Sequence, residues 1–376
     1  MPNPVERYAL FLTFTAVVVT VGGLFVSTAS AQSDYPSGWE TDWENRSVDL
    51  SEIMSGGVPR DGIPSIDAPR FVSIDAAGNW LGDREPVIML QTGASARAYP
   101  LQIMTYHEIV NDELGGVPVV VTFCPLCYSA IAYRRTVGEE VYEFGVSGML
   151  RHSDLIMYDR QTESLWQQID GEAIVGDLTG TLLEPLPAQI VSFAQFAARF
   201  AAGSVLSRET GHVRNYGTNP YRGYDDIDER PFLFRGDIDD RLPPMEKVVA
   251  LSLGGVKIAY PHSVTRDRGV INDVISDVPL AVFHVDGAVT ALGDAVIRDA
   301  EIIGTTGVFD RRVDGRTLSF EFKDGSIRDA ETGSVWDVTG HAISGSLVGR
   351  SLQPIVHGNY FSFAWFAFQP GSRVYR

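Results

Sequence analysis

"HEIVNDELGGVPVVVTFCPLC" occupies residues 107–127, and its reading decides how the rest of the chain is understood. Its centre, "VPVVVTF", is a β-branched run bounded by Gly115-Gly116 and by Cys124-Pro125, the pattern of a buried strand. The stretch "IVNDELGGVPVVV" (109–121) returns as "VINDVISDVPLAV" (270–282), which pairs Asn111 with Asn272 and Pro118 with Pro279. Upstream, "ARAYP" (96–100) returns as "KIAYP" (257–261), so Tyr99 pairs with Tyr260 at the same offset. Downstream, "DRQTESLWQQIDGEAIVGDLTGTLL" (159–183) matches "DAETGSVWDVTGHAISGSLVGRSL" (329–352), and "SFAQFA" (192–197) matches "SFAWFA" (362–367). Ordered matches of this kind imply a tandem duplication of one domain, with a period far too long for a solenoid.

Within each copy the pattern is mostly strand-like. "AIAYRRTVGEEVYEFGV" reads as two strands around a Gly-containing turn and "LIMYDRQTESLWQQI" as another hairpin, while "PLQIMTYHEIVNDEL" and "SFAQFAARF" have helical periodicity. The expected fold class is therefore α+β, β-rich, with one domain present twice. The expected boundaries are a signal peptide at 1–31, an N-terminal extension at 32–68, a first repeat domain at 69–213, a connecting strap at 214–245 and a second repeat domain at 246–376.

The N-terminal expectation rests on Arg7, the apolar run from Tyr8 to Val26, and the small residues Ala29-Ser30-Ala31 before Gln32. It implies export to the periplasm or the extracellular space; the alternative is an uncleaved membrane anchor formed by residues 8–26. With 48 acidic against 30 basic residues the net charge is −18, which argues against nucleic acid or an anionic membrane surface as partner. The strap is rich in Asp, Pro, Gly and Tyr. Its aromatic residues suit a segment packed over the surface, and its carboxylates, Asp225, Asp226, Asp228, Asp237, Asp239 and Asp240, lack the spacing of a calcium loop and read as a solvated acidic stretch.

Cys124 and Cys127 are the only cysteines, and the second copy has Val285 and Ala288 in their places. The thiols therefore read as an activity of the first copy and not as a requirement of the fold. Three chemistries fit an isolated Cys-x-x-Cys. Metal binding would recruit His107, whose counterpart is Asp267 or Arg268, with Met149 as fourth ligand and His152 ranked below it; such soft donors suit copper before zinc. Thiol–disulfide exchange would have Cys124 attack and Cys127 resolve, but strand and not helix is expected after the motif, which removes the usual thiolate stabilisation. An inert disulfide in a binding or structural module is the third reading. Ser153 and Asp154 are candidates to line the site. Asp159, Thr162, Ser164 and Trp166 recur in the copy without thiols and read as a side-chain-capped turn, and Asn111 and Asp112 as scaffold. No Gly-x-Ser-x-Gly, His-Glu-x-x-His or phosphate loop is present, so no nucleotide cofactor is expected.

The motifs "HEIVNDELGGVPVVVTFCPLC", "FGVSGMLRHSDLIMYDRQTESLWQQIDGEAIVGDLTG", "NPYRGYDDID" and "RLPPMEKVV" make the chain resemble the family called domain of unknown function 3179, from about Trp39 to the C-terminus. The resemblance implies an exported or membrane-attached protein without an assigned reaction. The family pattern falls here on His107, Cys124, Pro125 and Cys127. At His152 the resemblance implies Asn, which favours His107 over His152 as a ligand.

Overall fold

Short turns set the strand register throughout the chain. In the computed structural model, which describes residues 37–376, Ile109–Leu114 and Val117–Cys124 form a hairpin whose two loop residues, Gly115 and Gly116, have φ of 61° and 79°. Two consecutive left-handed residues give the turn that matches the right-handed twist of paired strands. Val270–Ile275 and Val278–Val285 pair around Ser276 and Asp277, at φ of 47° and 64°. The expected signal peptide and the alternative anchor lie outside the described residues. Among those described, no helix is long and apolar enough to cross a membrane.

The chain is β-rich with few, short helices. In its first part, a five-stranded sheet runs in the order Ala188–Ser192, Pro86–Thr92, Ser95–Pro100, Ser204–Leu206, Phe71–Ser73. A four-stranded sheet follows in the order Glu184–Leu186, Ser129–Arg134, Val117–Cys124, Ile109–Leu114. Another five-stranded sheet is ordered Ile53–Ser55, Phe144–Arg151, Asp154–Asp159, Leu165–Gln167, Ala173–Val175. Later in the chain, Gly358–Phe361, Lys247–Leu253, Val256–Pro261 and Arg373–Val374 make one sheet, and Val270–Ile275, Val278–Val285, Thr305–Asp310 and Gln353–Pro354 a second. Phe320–Lys323, Ser326–Asp329, Val335–Trp336 and Ala342–Ser344 make a third. Residues 39–376 pack as one unit.

The helical reading of "PLQIMTYHEIVNDEL" holds only for its first half. The helix is Leu101–His107, and Ile109–Leu114 is strand. Glu108 ends it with φ of 58°, after which β-branched Ile109 and Val110 pair with Val121 and Thr122. The other helical reading holds: Phe193–Arg199 starts at Ser192, whose side chain and that of Gln195 form a reciprocal capping box.

The side chains read as scaffold are bonded as scaffold. Asp159 accepts from the Thr162 backbone N–H at 2.6 Å and from the Trp166 indole at 2.9 Å; Asp329 accepts from Thr332 and Trp336 at 2.6 and 2.9 Å. Both tryptophans are buried. Asn111 donates to the Phe144 carbonyl at 2.8 Å and accepts from its N–H at 2.9 Å; Asn272 does the same with Phe320 at 2.8 and 2.9 Å. Tyr99 donates to Asp112 and Tyr260 to Asp273. Replacing buried Asn111 by alanine leaves two backbone groups without partners and is expected to cost about 2–4 kcal/mol in urea unfolding; a loss below about 0.5 kcal/mol would show that this bracket between sheets carries no weight.

Candidate metal centre

Cys124 is the last residue of the strand Val117–Cys124, and Ser129, opposite it, opens the next. The four residues between them make a tight turn: the Cys127 N–H donates to the Cys124 carbonyl at 3.2 Å, and Tyr128 sits at φ of 56°. The Cys-Pro-Leu-Cys motif is thus the tip of a β-hairpin. As expected from the sequence, strand and not helix follows it.

A second hairpin brings its own tip to the same place. Phe144–Arg151 and Asp154–Asp159 pair around His152 and Ser153, at φ of 50° and 70°. A turn of this kind favours Asn, Asp or Gly at its left-handed positions. The first residue after the turn is Asp154, fully buried. Ligand atoms of Cys124, Cys127 and Asp154 all lie within 4.8 Å of one another. Cys124 Sγ is also 3.8 Å from the Ser153 carbonyl.

Among the described residues this is the cluster of candidate ligands that the fold brings together. Asp154 Oδ2 accepts from Gln167 Nε2 at 2.6 Å and from the Ile169 N–H at 3.1 Å, while Oδ1 has no hydrogen-bond partner. Both cysteines are free and buried. Burial, before any neighbouring charge, raises the Cys124 thiol and pushes the Cys127 thiol well above its ordinary range. Burial likewise lifts Asp154 to about 7 and Glu108 to about 8. Among the described residues neither carboxylate forms an ion pair with a lysine or arginine, and none stands among the leading causes of the two shifts. The three clustered groups, and Glu108 coupled to them, hold their protons more tightly than free acids of the same kind do.

His107 is placed elsewhere. Its Nδ1 lies 2.7 Å from the Pro64 carbonyl and its Nε2 2.5 Å from the Tyr216 hydroxyl, so both ring nitrogens are engaged. Nδ1 donates to the carbonyl, and Nε2 accepts from the phenol. Burial lowers its pKa to about 4, and it packs 5.4 Å from His212. His152 faces Glu52 at 3.3 Å and the rings of Phe234 and Phe368. Met149 pairs across the sheet with Ile156 and lines a cavity next to the cluster. Ser153 donates to the Phe232 carbonyl.

The strap crosses this region. Tyr224 donates to the Leu126 carbonyl at 3.1 Å, and Gly223 N–H to the Leu292 and Gly293 carbonyls at 2.9 and 2.8 Å. Of the six acidic residues read as a solvated stretch, Asp225 is instead buried in an ion pair with Lys247 at 2.8 Å, and Asp239 pairs with Arg241.

Sequence reasoning gave Asp154 only as a lining residue and passed over Glu108. A signal for Glu108 was present: the offset that pairs Asn111 with Asn272 pairs Glu108 with Gly269. Gly269 ends its helix at φ of 66°, free of penalty, whereas Glu108 holds a φ of 58° that strains any residue with a side chain. Strain of this kind collects at functional sites.

A β-rich protein with a buried dithiol–carboxylate cluster between two hairpin tips is the class that this fold and site define. The chain belongs to the family described as protein of unknown function (DUF3179), which matches residues 60–372. No curated protein and no solved structure matches it.

Proposed function

We propose that Cys124, Cys127 and Asp154 hold a metal ion and that the protein acts in metal handling or in chemistry at that ion. The observation that carries this reading is the buried Asp154 carboxylate, with one oxygen lacking a partner, beside two free thiols. Two thiolates and a carboxylate are a harder donor set than the thiolates, imidazole and thioether expected from sequence, and they suit zinc(II) before copper(I). Such a set leaves one position of a tetrahedron for another ligand.

The redox reading has less behind it. Both thiols are raised, and neither lies at a helix N-terminus, so the thiolate that exchange requires is disfavoured. We further infer that the two parts of the chain arose by duplication, with the site kept in the first; the matching capped turns and asparagine brackets support this. Export follows from the sequence expectation for residues 1–31.

The test is metal content by plasma mass spectrometry on protein prepared under reducing conditions and offered zinc(II) and copper(I). About one ion per chain, absent from the Cys124→Ser/Cys127→Ser variant, is the expected result. No metal in the folded parent protein after both loadings would overturn the reading.

A further inference from the structure

A cavity of about 550 Å³ adjoins the cluster, a size typical of small-molecule sites. Its walls are mainly apolar, with Val146 and Leu155 from strands and Ile63 from a loop. The thiols and Asp154 do not line it; Glu108 does. Glu108 is 7 % exposed, meets the Tyr221 hydroxyl and, among the described residues, forms no ion pair. Its backbone holds the strained position taken by glycine at the corresponding helix end. Tyr221 and Tyr224, from the strap, supply aromatic surface on the opposite wall. The remaining charged lining residues, Arg222, Glu229 and Arg230, are exposed and of mixed sign, which places them at the rim.

We propose that this cavity binds a small organic cation, a protonated amine on an apolar body, with Glu108 as its counter-ion and the two tyrosines against its charged end. A hydrocarbon would offer the buried Glu108 carboxyl nothing beyond the Tyr221 hydroxyl that it already meets. An anion would find no counter-charge inside, because Glu108 and Asp154 hold their protons and the lining arginines are exposed. An ammonium group satisfies the carboxylate, gains from the tyrosine faces, and is drawn in by a chain of net charge −18. The proposal goes beyond the metal reading and does not depend on it, because the cavity and Glu108 exist without an ion.

The test uses three probes of one shape: 2-naphthylmethylammonium, 2-naphthalenemethanol and 2-naphthoate, titrated by fluorescence or calorimetry against the full chain at pH 7. The ammonium should bind about tenfold more tightly than the alcohol, and the carboxylate more weakly than both. Glu108→Gln should remove the preference for ammonium over alcohol while leaving alcohol binding in place, and Cys124→Ser/Cys127→Ser should leave the ranking unchanged. Leu126→Trp, which adds bulk to the lining of the cavity, should abolish binding of all three. Should Glu108→Gln fail to fold, the ranking on the parent protein decides. Equal binding of ammonium and alcohol, a preference that survives Glu108→Gln, binding that survives Leu126→Trp, or no binding of any probe would overturn the proposal. Loss of metal with the ranking intact would count against the metal reading alone.

Discussion

Asp154→Asn is expected to abolish metal uptake and, in metal-free protein, to raise stability at pH 8 by about 2–3 kcal/mol relative to its effect at pH 5. Burial lifts the folded-state pKa of Asp154 from 3.8 to about 7. Between those values the folded protein carries a proton that the unfolded chain has released, so stability falls as pH rises through the window. The whole shift of about three pKa units corresponds to about 4 kcal/mol, of which the span from pH 5 to pH 8 holds about 2–3 kcal/mol, an upper figure because Glu108 is coupled to the same group. Asparagine cannot ionise and keeps an oxygen for Gln167 and the Ile169 N–H, so the penalty disappears. His107 works in the opposite direction: its depressed pKa adds stability that is lost as pH falls through its folded value. That contribution is common to both proteins and cancels in the comparison. Urea unfolding at pH 5 and pH 8 with chelator present makes the measurement, and parallel pH dependences of parent and variant would refute the buried-acid account. With zinc bound, the parent should lose its penalty at pH 8, because the ion replaces the protons.

Lys247→Met should cost about 3–5 kcal/mol and loosen the strap. The Lys247 and Asp225 side chains are 10 % and 5 % exposed and meet at 2.8 Å. Removing the cation leaves Asp225 buried with only the Thr290 hydroxyl, and breaking a pair in this way costs far more than the pair contributes. Lys247 also lies 5.1 Å from the Tyr128 ring centre and 5.5 Å from that of Phe361, beside the cysteine hairpin. Lys247→Met/Asp225→Asn should recover most of the loss, since no unpaired charge remains. Limited proteolysis between Tyr221 and Phe232 should quicken in the single variant and slow again in the double one. A single variant as stable and as resistant as the parent protein would show that the strap is held by its other contacts.

Much of the local structure was legible in the residues. Gly115-Gly116 marked the start of a buried strand, and Asp159 and Asp329 marked capped turns, because each signal acts over two to seven residues. The helix beginning at Leu101 was read too long: apolar spacing continues past His107, and only the backbone conformation of Glu108 ends it. The dithiol was plain from composition and the contrast with Val285 and Ala288. Its partners were not. His107 shares a motif with the cysteines, yet its ring is bound to Pro64 and Tyr216, both distant in sequence.

Local chemistry therefore established the strands, their turns, the acidic character and the position of the two thiols, since propensity, patterning and turn geometry are short-range properties. The placing of Asp154, and not His107, beside the thiols, the burial that raises the acids, the cavity beside Glu108 and the strap over it arise only when separate hairpins and loops pack together. Proximity between residues 124 and 154 depends on the docking of two sheets, and desolvation depends on everything that surrounds them; neither is encoded at any single stretch of the chain.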